Sequence, residues 1–207
     1  GDNTISSAIP AAGGTLSLQK TGAGTWVLSG ANLHTGTTTI SNGILKIQDT
    51  FSGSSRNVLP NGGAIAFNVD TLTNSAGGVF QYLGAAGSAS TESVGALTPT
   101  AGAGTVQVTA GSGGTAALTF GSLDVVAAGS GINFVTSAGA SVTITGAANT
   151  NGILNAHLFF NGADFAAGSA VGAASYADQS AELAGALTMP TRITDSFTQS
   201  TAVTVNA

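Results

Sequence analysis

The chain has 207 residues, 31 of them Gly, no Cys, 6% charged side chains and a formal net charge of −5. An ordinary soluble domain carries roughly 25% charged residues, so stability must come from backbone ladders and packing rather than from charge networks or disulfides. Four basic side chains, Lys20, Lys46, Arg56 and Arg192, cannot assemble the patch that nucleic acid requires, and no run approaches the roughly 20 apolar residues of a membrane helix. Gly1-Asp2-Asn3 lacks the basic and apolar regions of a signal peptide. A first residue other than Met suggests a mature or excised segment.

Taken in chain order, the pattern is one of short β-period runs. Leu16 and Leu18 alternate with Ser17 and Gln19, and Trp26–Leu28 follows the turn Gly22-Ala23-Gly24. Thr38–Ile40 precedes Asn42-Gly43, which opens Ile44–Ile47. Further runs are Ala64–Val69, Val79–Leu83, Thr105–Thr109, Ala116–Phe120, Ile132–Val135, Ser141–Thr145, Leu158–Phe160 and Ala202–Val205. Each is bounded by Gly, Asn or Ser, as strands are. Residues 152–176 have another texture: the apolar run ending at Phe160 meets Asn161-Gly162, a tight-turn dipeptide. A small hairpin or flap is expected there, leaving the regular array and packing against its wall. A helix is expected only at Asp178–Leu187, weakened by Gly185 and stopped by Pro190.

Turn spacing alone fits a sandwich, a barrel or a solenoid. Gly-Ala-Gly-Thr recurs at 22–25 and 102–105, and aromatic residues are only 6%. Both features favour stacked levels, an all-β solenoid over residues 1–207 as a single unit.

Residues 14–47 carry Leu18, Lys20, Gly22, Gly24, Thr25, Leu28, Ser29, Gly30, Asn32, Thr35, Gly36, Thr38, Ile40, Gly43 and Leu45 in a characteristic order. This closely resembles the autotransporter-associated β-strand repeat, also called the passenger-associated transport repeat. Trp26 stands where that family usually has Leu, and His34 where it usually has Tyr. The resemblance implies a right-handed parallel β-helix, secretion, and a place outside the cell or on its surface. Physically, Gly22, Gly24, Gly30, Gly36 and Gly43 are expected to take positive φ at corners. Leu18, Leu28, Ile40 and Leu45 are expected to point inward, and Asn32 to bond backbone groups at a corner, stacked on a counterpart in the next level.

Sites of chemistry are sparse. His34 and His157 lie far apart; a corner position for His34 and an apolar strand for His157 are expected, with no metal site. No two of the nine carboxylates are placed by the sequence on adjacent levels beside a cation, so no catalytic residues are assigned. One carboxylate in Asn161-Gly162-Ala163-Asp164 is too little for calcium, and no cofactor is expected. Core packing is the expected role of Trp26, Phe120 and Phe134, with a sugar-stacking surface as the alternative.

The reading is a non-catalytic structural or adhesive module of an exported bacterial surface protein or fibre. Copies or adjacent repeats are expected to meet end to end, because Thr201–Ala207 joined to Gly1–Ile5 reads as strand, turn, strand. The alternatives are a glycan-binding module and a polysaccharide-degrading β-helix enzyme.

Overall fold

Short runs rich in Val, Ile, Thr and Phe cannot bury both faces alone, and each needs a neighbour for its backbone groups. The computed structural model, which describes residues 2–11, 13–50, 57–69, 77–175, 177–178 and 191–192, satisfies both needs by alternation. Its strands are β1 (Asn3–Ile5), β2 (Leu18–Lys20), β3 (Thr25–Leu28), β4 (Thr38–Ile40), β5 (Gly43–Gln48), β6 (Ile65–Phe67), β7 (Gly78–Leu83) and β8 (Ala89–Pro99). They continue as β9 (Gly102–Thr109), β10 (Thr115–Leu123), β11 (Ser130–Thr136), β12 (Ala140–Ile144), β13 (Leu158–Phe160), β14 (Asp164–Ala167), β15 (Gly172–Ala173), β16 (Ala177–Asp178) and β17 (Thr191–Arg192).

One sheet runs β1-β3-β5-β7-β9-β11-β13-β14-β15 and the other β12-β10-β8-β6-β4-β2. Up to β13 the chain therefore passes from sheet to sheet at every connection, and each of β1 to β11 lies parallel to the strand two places on. Two successive strands make one level, and levels are stacked roughly 4.7–4.9 Å apart. The protein is all-β with parallel sheets and, among the described residues, no helix. Of the helix expected at Asp178–Leu187, Asp178 lies in β16 and 179–187 fall outside the described residues. The Ala202–Val205 run lies outside them too.

Register turns the sequence into columns. Trp26, Leu45, Phe80, Val106, Phe134 and Phe160 form one inward column, and Leu28, Ile47, Tyr82 and Val108 another. Gly78 and Gly104 are adjacent in a third column, and there glycine serves space: a Cβ at Gly78 would strike Ile40, and one at Gly104 would strike Phe67. Ile40 and Phe67 belong to the opposite sheet, so the glycines let the two sheets close on one core. Thr25 and Thr105, which end the two Gly-Ala-Gly-Thr segments, share one column three levels apart. The first glycine of each segment has positive φ, Gly22 at 69° and Gly102 at 73°.

Two features were not read from the sequence. The longest strand, β8, interrupts its inward pattern with Ser90 and Glu92 and carries Gly95 and Pro99, so its period is masked. The described part of the expected 152–176 excursion, residues 152–175, lies over the end of the stack and not against its wall. β13 continues its sheet in parallel, and β14 then turns back antiparallel through Asn161 (φ 51°) and Gly162 (φ 67°). The chain next returns to the other sheet, where Val171 N–H donates to Val142 O at 2.9 Å and Ile144 N–H to Ser169 O at 2.8 Å. Leu154, Leu158, Ala166 and Val171 close the core there. The physical reason is edge protection: this segment covers the last parallel strand of both sheets.

Candidate functional site

The repeat segment organises the first levels. Lys20 ends β2 and is 4% exposed. Its Nζ donates to the carbonyls of Thr21 at 2.8 Å, Gly22 at 2.6 Å and Asn42 at 3.0 Å. Three donors meet three carbonyls, so a buried ammonium ties the β2–β3 corner to the β4–β5 corner. Gly43 completes this joint. Its φ is +66°, and a Cβ there would meet the carbonyl oxygens of Gly22 and Gly24 and lie 2.6 Å from Lys20 Nζ.

Positive φ, expected at five glycines of this segment, occurs at Gly22 and Gly43 only. Gly30 and Gly36 are required for close approach instead: a Cβ on Gly30 would lie 2.7 Å from the Ser7 carbonyl, and one on Gly36 2.6 Å from Leu16 O. Nothing in the structure explains glycine at position 24.

Asn32 is 4% exposed and bonds three backbone segments. Its Oδ1 accepts from Ile9 N–H at 2.9 Å, and its Nδ2 donates to Gly30 O at 2.9 Å and Val58 O at 2.8 Å. The partners in the levels before and after are main chain at Ile9 and Val58, not stacked asparagines. Glu92 continues the same line: Oε2 accepts from Val58 N–H at 2.7 Å and Oε1 from Leu59 N–H at 2.8 Å. A polar seam thus runs through four levels along a corner where 57–61 forms no strand.

Leu28, Ile40 and Leu45 are buried in the core, and Leu18 is partly buried against it. Trp26 departs from the packing expected of it, being 40% exposed, whereas Phe120 and Phe134 are fully buried. The cause is position. Trp26 faces inward, but the residue before it in its column is Asn3, which is exposed and covers little. Ile5, Leu18, Trp26, Leu28 and Leu45, with Gln19, Lys20 and Thr21 at the rim, line an open cavity of about 230 Å³.

His34 is 1% exposed; its Nε2 lies 3.0 Å from Thr38 Oγ1 and its Nδ1 has no partner. Burial lowers its pKa below the usual histidine value. His157 precedes β13 and is exposed, so it does not sit in the apolar strand. The Asn161-Gly162 turn uses its polar groups internally: Thr136 N–H donates to Asn161 Oδ1 at 3.1 Å and Gly162 N–H to Asn133 Oδ1 at 2.8 Å.

Two carboxylates do come together. Glu92, with no exposed surface, lies within electrostatic reach of Asp49 and Tyr82, both buried. Burial first, and Asp49 in addition, pushes Glu92 up to about 8 against the pull of its two N–H donors. Tyr82 is raised by burial first and then by the Glu92 and Asp49 carboxyls, against the pull of the Ser90 hydroxyl beside it. Among the described residues, no three His, Cys, Asp or Glu side chains are placed to hold a metal ion.

Stacked parallel strands joined by a buried lysine, an asparagine seam and tight glycine corners define a repeat architecture. Residues 18–47 match the family model of the Passenger-associated-transport-repeat, so this segment carries one such repeat. It is similar to the Adhesin BmaC autotransporter of Brucella suis biovar 1 (strain 1330), with 46% identity over 76 residues. That alignment covers 35% of this chain and 2% of the relative, so the chain spans a small part of the curated protein it matches. No solved structure matches the chain significantly.

Proposed function

We propose that the chain is a non-catalytic structural or adhesive module of an exported bacterial surface protein, built as a right-handed parallel β-helix. The supporting observation is the alternation of strands between two parallel sheets in continuous register. Such a stack gains length level by level at constant width, which suits a part that spans distance. The right hand follows from the general handedness of parallel crossovers. The match at residues 18–47 and the name of the Brucella relative, an adhesin and autotransporter, support a place at the cell surface or outside the cell. Asp49 and Glu92 are both buried, so neither can serve a polysaccharide substrate, which favours a non-catalytic role.

Contact with copies of the chain, or with adjacent repeats, would use the open cavity at Trp26, where inward columns begin uncovered. The other end of the described stack is covered by 153–174, so this contact is made by unlike surfaces. The Thr201–Ala207 run, from which the sequence leads one to expect end-to-end joining, lies outside the described residues.

The exposure of Trp26 also favours a second reading, a glycan-binding module that stacks a sugar face on the indole. One experiment addresses both. The wild-type chain and W26A are compared by light scattering and electron microscopy over a concentration series, and on a glycan array. End-to-end contact predicts linear assemblies in the wild type that shorten in W26A, with no glycan signal. A glycan signal lost in W26A, with monomers throughout, replaces it by the second reading. Monomers of both forms without glycan binding refute both.

A further inference from the structure

Four Asn-Gly pairs occur in the sequence, at 42–43, 61–62, 151–152 and 161–162. In such a pair the glycine nitrogen can approach the carboxamide before it, because no side chain obstructs the way. The fold treats the four differently. At 161–162 both partners are engaged elsewhere: Asn161 Oδ1 accepts from Thr136 N–H at 3.1 Å, and Gly162 N–H donates to Asn133 Oδ1 at 2.8 Å. Asn61 Oδ1 accepts from Asn57 Nδ2. Asn151 (φ 52°) and Gly152 (φ 85°) form the tip of the loop closed by the Thr150–Ile153 bridge. Of the four, only 42–43 folds the glycine N–H onto its own asparagine: Gly43 N lies 2.7 Å from Asn42 Oδ1.

That turn sets a nucleophile against an electrophile, at a separation close to the roughly 3–3.5 Å of a near-attack arrangement. A peptide nitrogen attacks only after losing its proton, and the negative charge then rests largely on the carbonyl oxygen of the same peptide group. For Gly43 N that oxygen is Asn42 O, and Lys20 Nζ donates to it at 3.0 Å. The ammonium is 4% exposed and held in place by its bonds to Thr21 O and Gly22 O. A fixed cation therefore stands where charge develops, the arrangement that stabilises an anionic transition state most. Asn42 and Gly43 are half-buried, so water reaches the turn.

We propose that Asn42-Gly43 is a self-modification site, with Lys20 as its anion-stabilising group. Gly43 N gives its proton to hydroxide and bonds to Asn42 Cγ. The Cγ–Nδ2 bond breaks, and ammonia leaves after taking a proton from water. Water then opens the five-membered succinimide at either carbonyl, leaving an aspartyl or isoaspartyl residue at position 42. The isoaspartyl form adds a methylene to the main chain at a corner without room for it, since a Cβ on Gly43 would already meet the carbonyls of Gly22 and Gly24. The modification thus parts the joint between the β2–β3 and β4–β5 corners and gives the repeat a slow covalent clock.

The test uses the full chain, as wild type, K20M and K20R, incubated at neutral pH both folded and in urea. Conversion at each of the four asparagines is read by peptide mass mapping with isoaspartate detection. In the folded wild type, Asn42 is expected to convert at least about tenfold faster than Asn61, Asn151 and Asn161; in urea the four rates converge. K20M slows Asn42 alone, and K20R restores most of the rate. A lysine that merely stiffens the corner gives the opposite sign, faster conversion at Asn42 in K20M, and overturns the proposal. Conversion of Asn42 that is no faster in the folded chain than in urea overturns it as well. If K20M does not fold, K20R and the folded-to-urea ratio at Asn42 decide, with the other three asparagines as internal references.

Discussion

At the scale of single residues, the joint at Lys20 is the strongest local device in the repeat. An ammonium bonded to three carbonyls cannot be replaced by an apolar stem without orphaning acceptors, each charge-assisted bond contributing roughly 1.5–3 kcal/mol. Lys20→Met is expected to cost at least about 3 kcal/mol in urea unfolding, whereas exchange of the exposed Gln19 for Met should change little. Gly43 tests the same joint from the other side. Gly43→Ala adds roughly 1–2 kcal/mol of left-handed strain to a collision with the carbonyls of Gly22 and Gly24. Its cost should therefore exceed that of Gly22→Ala, where φ is also positive but the added Cβ meets open space.

At the scale of elements, strands are held by ladders, but the connections between them depend on side chains. His34 anchors one such connection through Thr38, at the start of β4. Its lowered pKa means that the unfolded chain takes up a proton first as pH falls below about 6.5. Stability from His34 is thus present above that value and lost as pH drops through the lowered one. His34→Phe, which keeps a ring in the corner, is expected to remove the decline; unfolding midpoints at pH 7 and pH 5 measure it. One proton gained or released alters stability by at most about 1.4 kcal/mol per pH unit.

At the scale of the whole molecule, the two ends of the stack differ among the described residues. One opens on Trp26, Ile5 and Leu18; the other is closed by β13, β14 and the return through Val171. Val171 is 8% exposed, and Val171→Asp places a carboxylate over the core. It is expected to cost about 3 kcal/mol or more and to raise binding of an apolar dye. Trp26→Ala, at the open end, should cost about 1–2 kcal/mol, less than the roughly 3–5 kcal/mol of a buried aromatic. Equal losses in denaturant titrations would mean that the Trp26 end is also covered in solution.

Local chemistry made much of this protein legible from residue types. Short β-branched runs between glycines fixed the all-β character, because such runs need partners on both edges and turns that tolerate left-handed backbone. The order of Leu18, Lys20, Asn32, Gly43 and Leu45 was enough to recognise the repeat that the family comparison matches. The inward set was legible where one period held, as at Leu28, Ile40 and Leu45. Tertiary structure alone decided what depends on neighbours from other levels. Trp26 and Phe134 share a column, yet one is wet and one dry, since burial is set by the next level and not by the side chain. The same holds for Glu92: a carboxylate among serines reads as surface, and only the stacking of β8 against a strandless connection turns it inward.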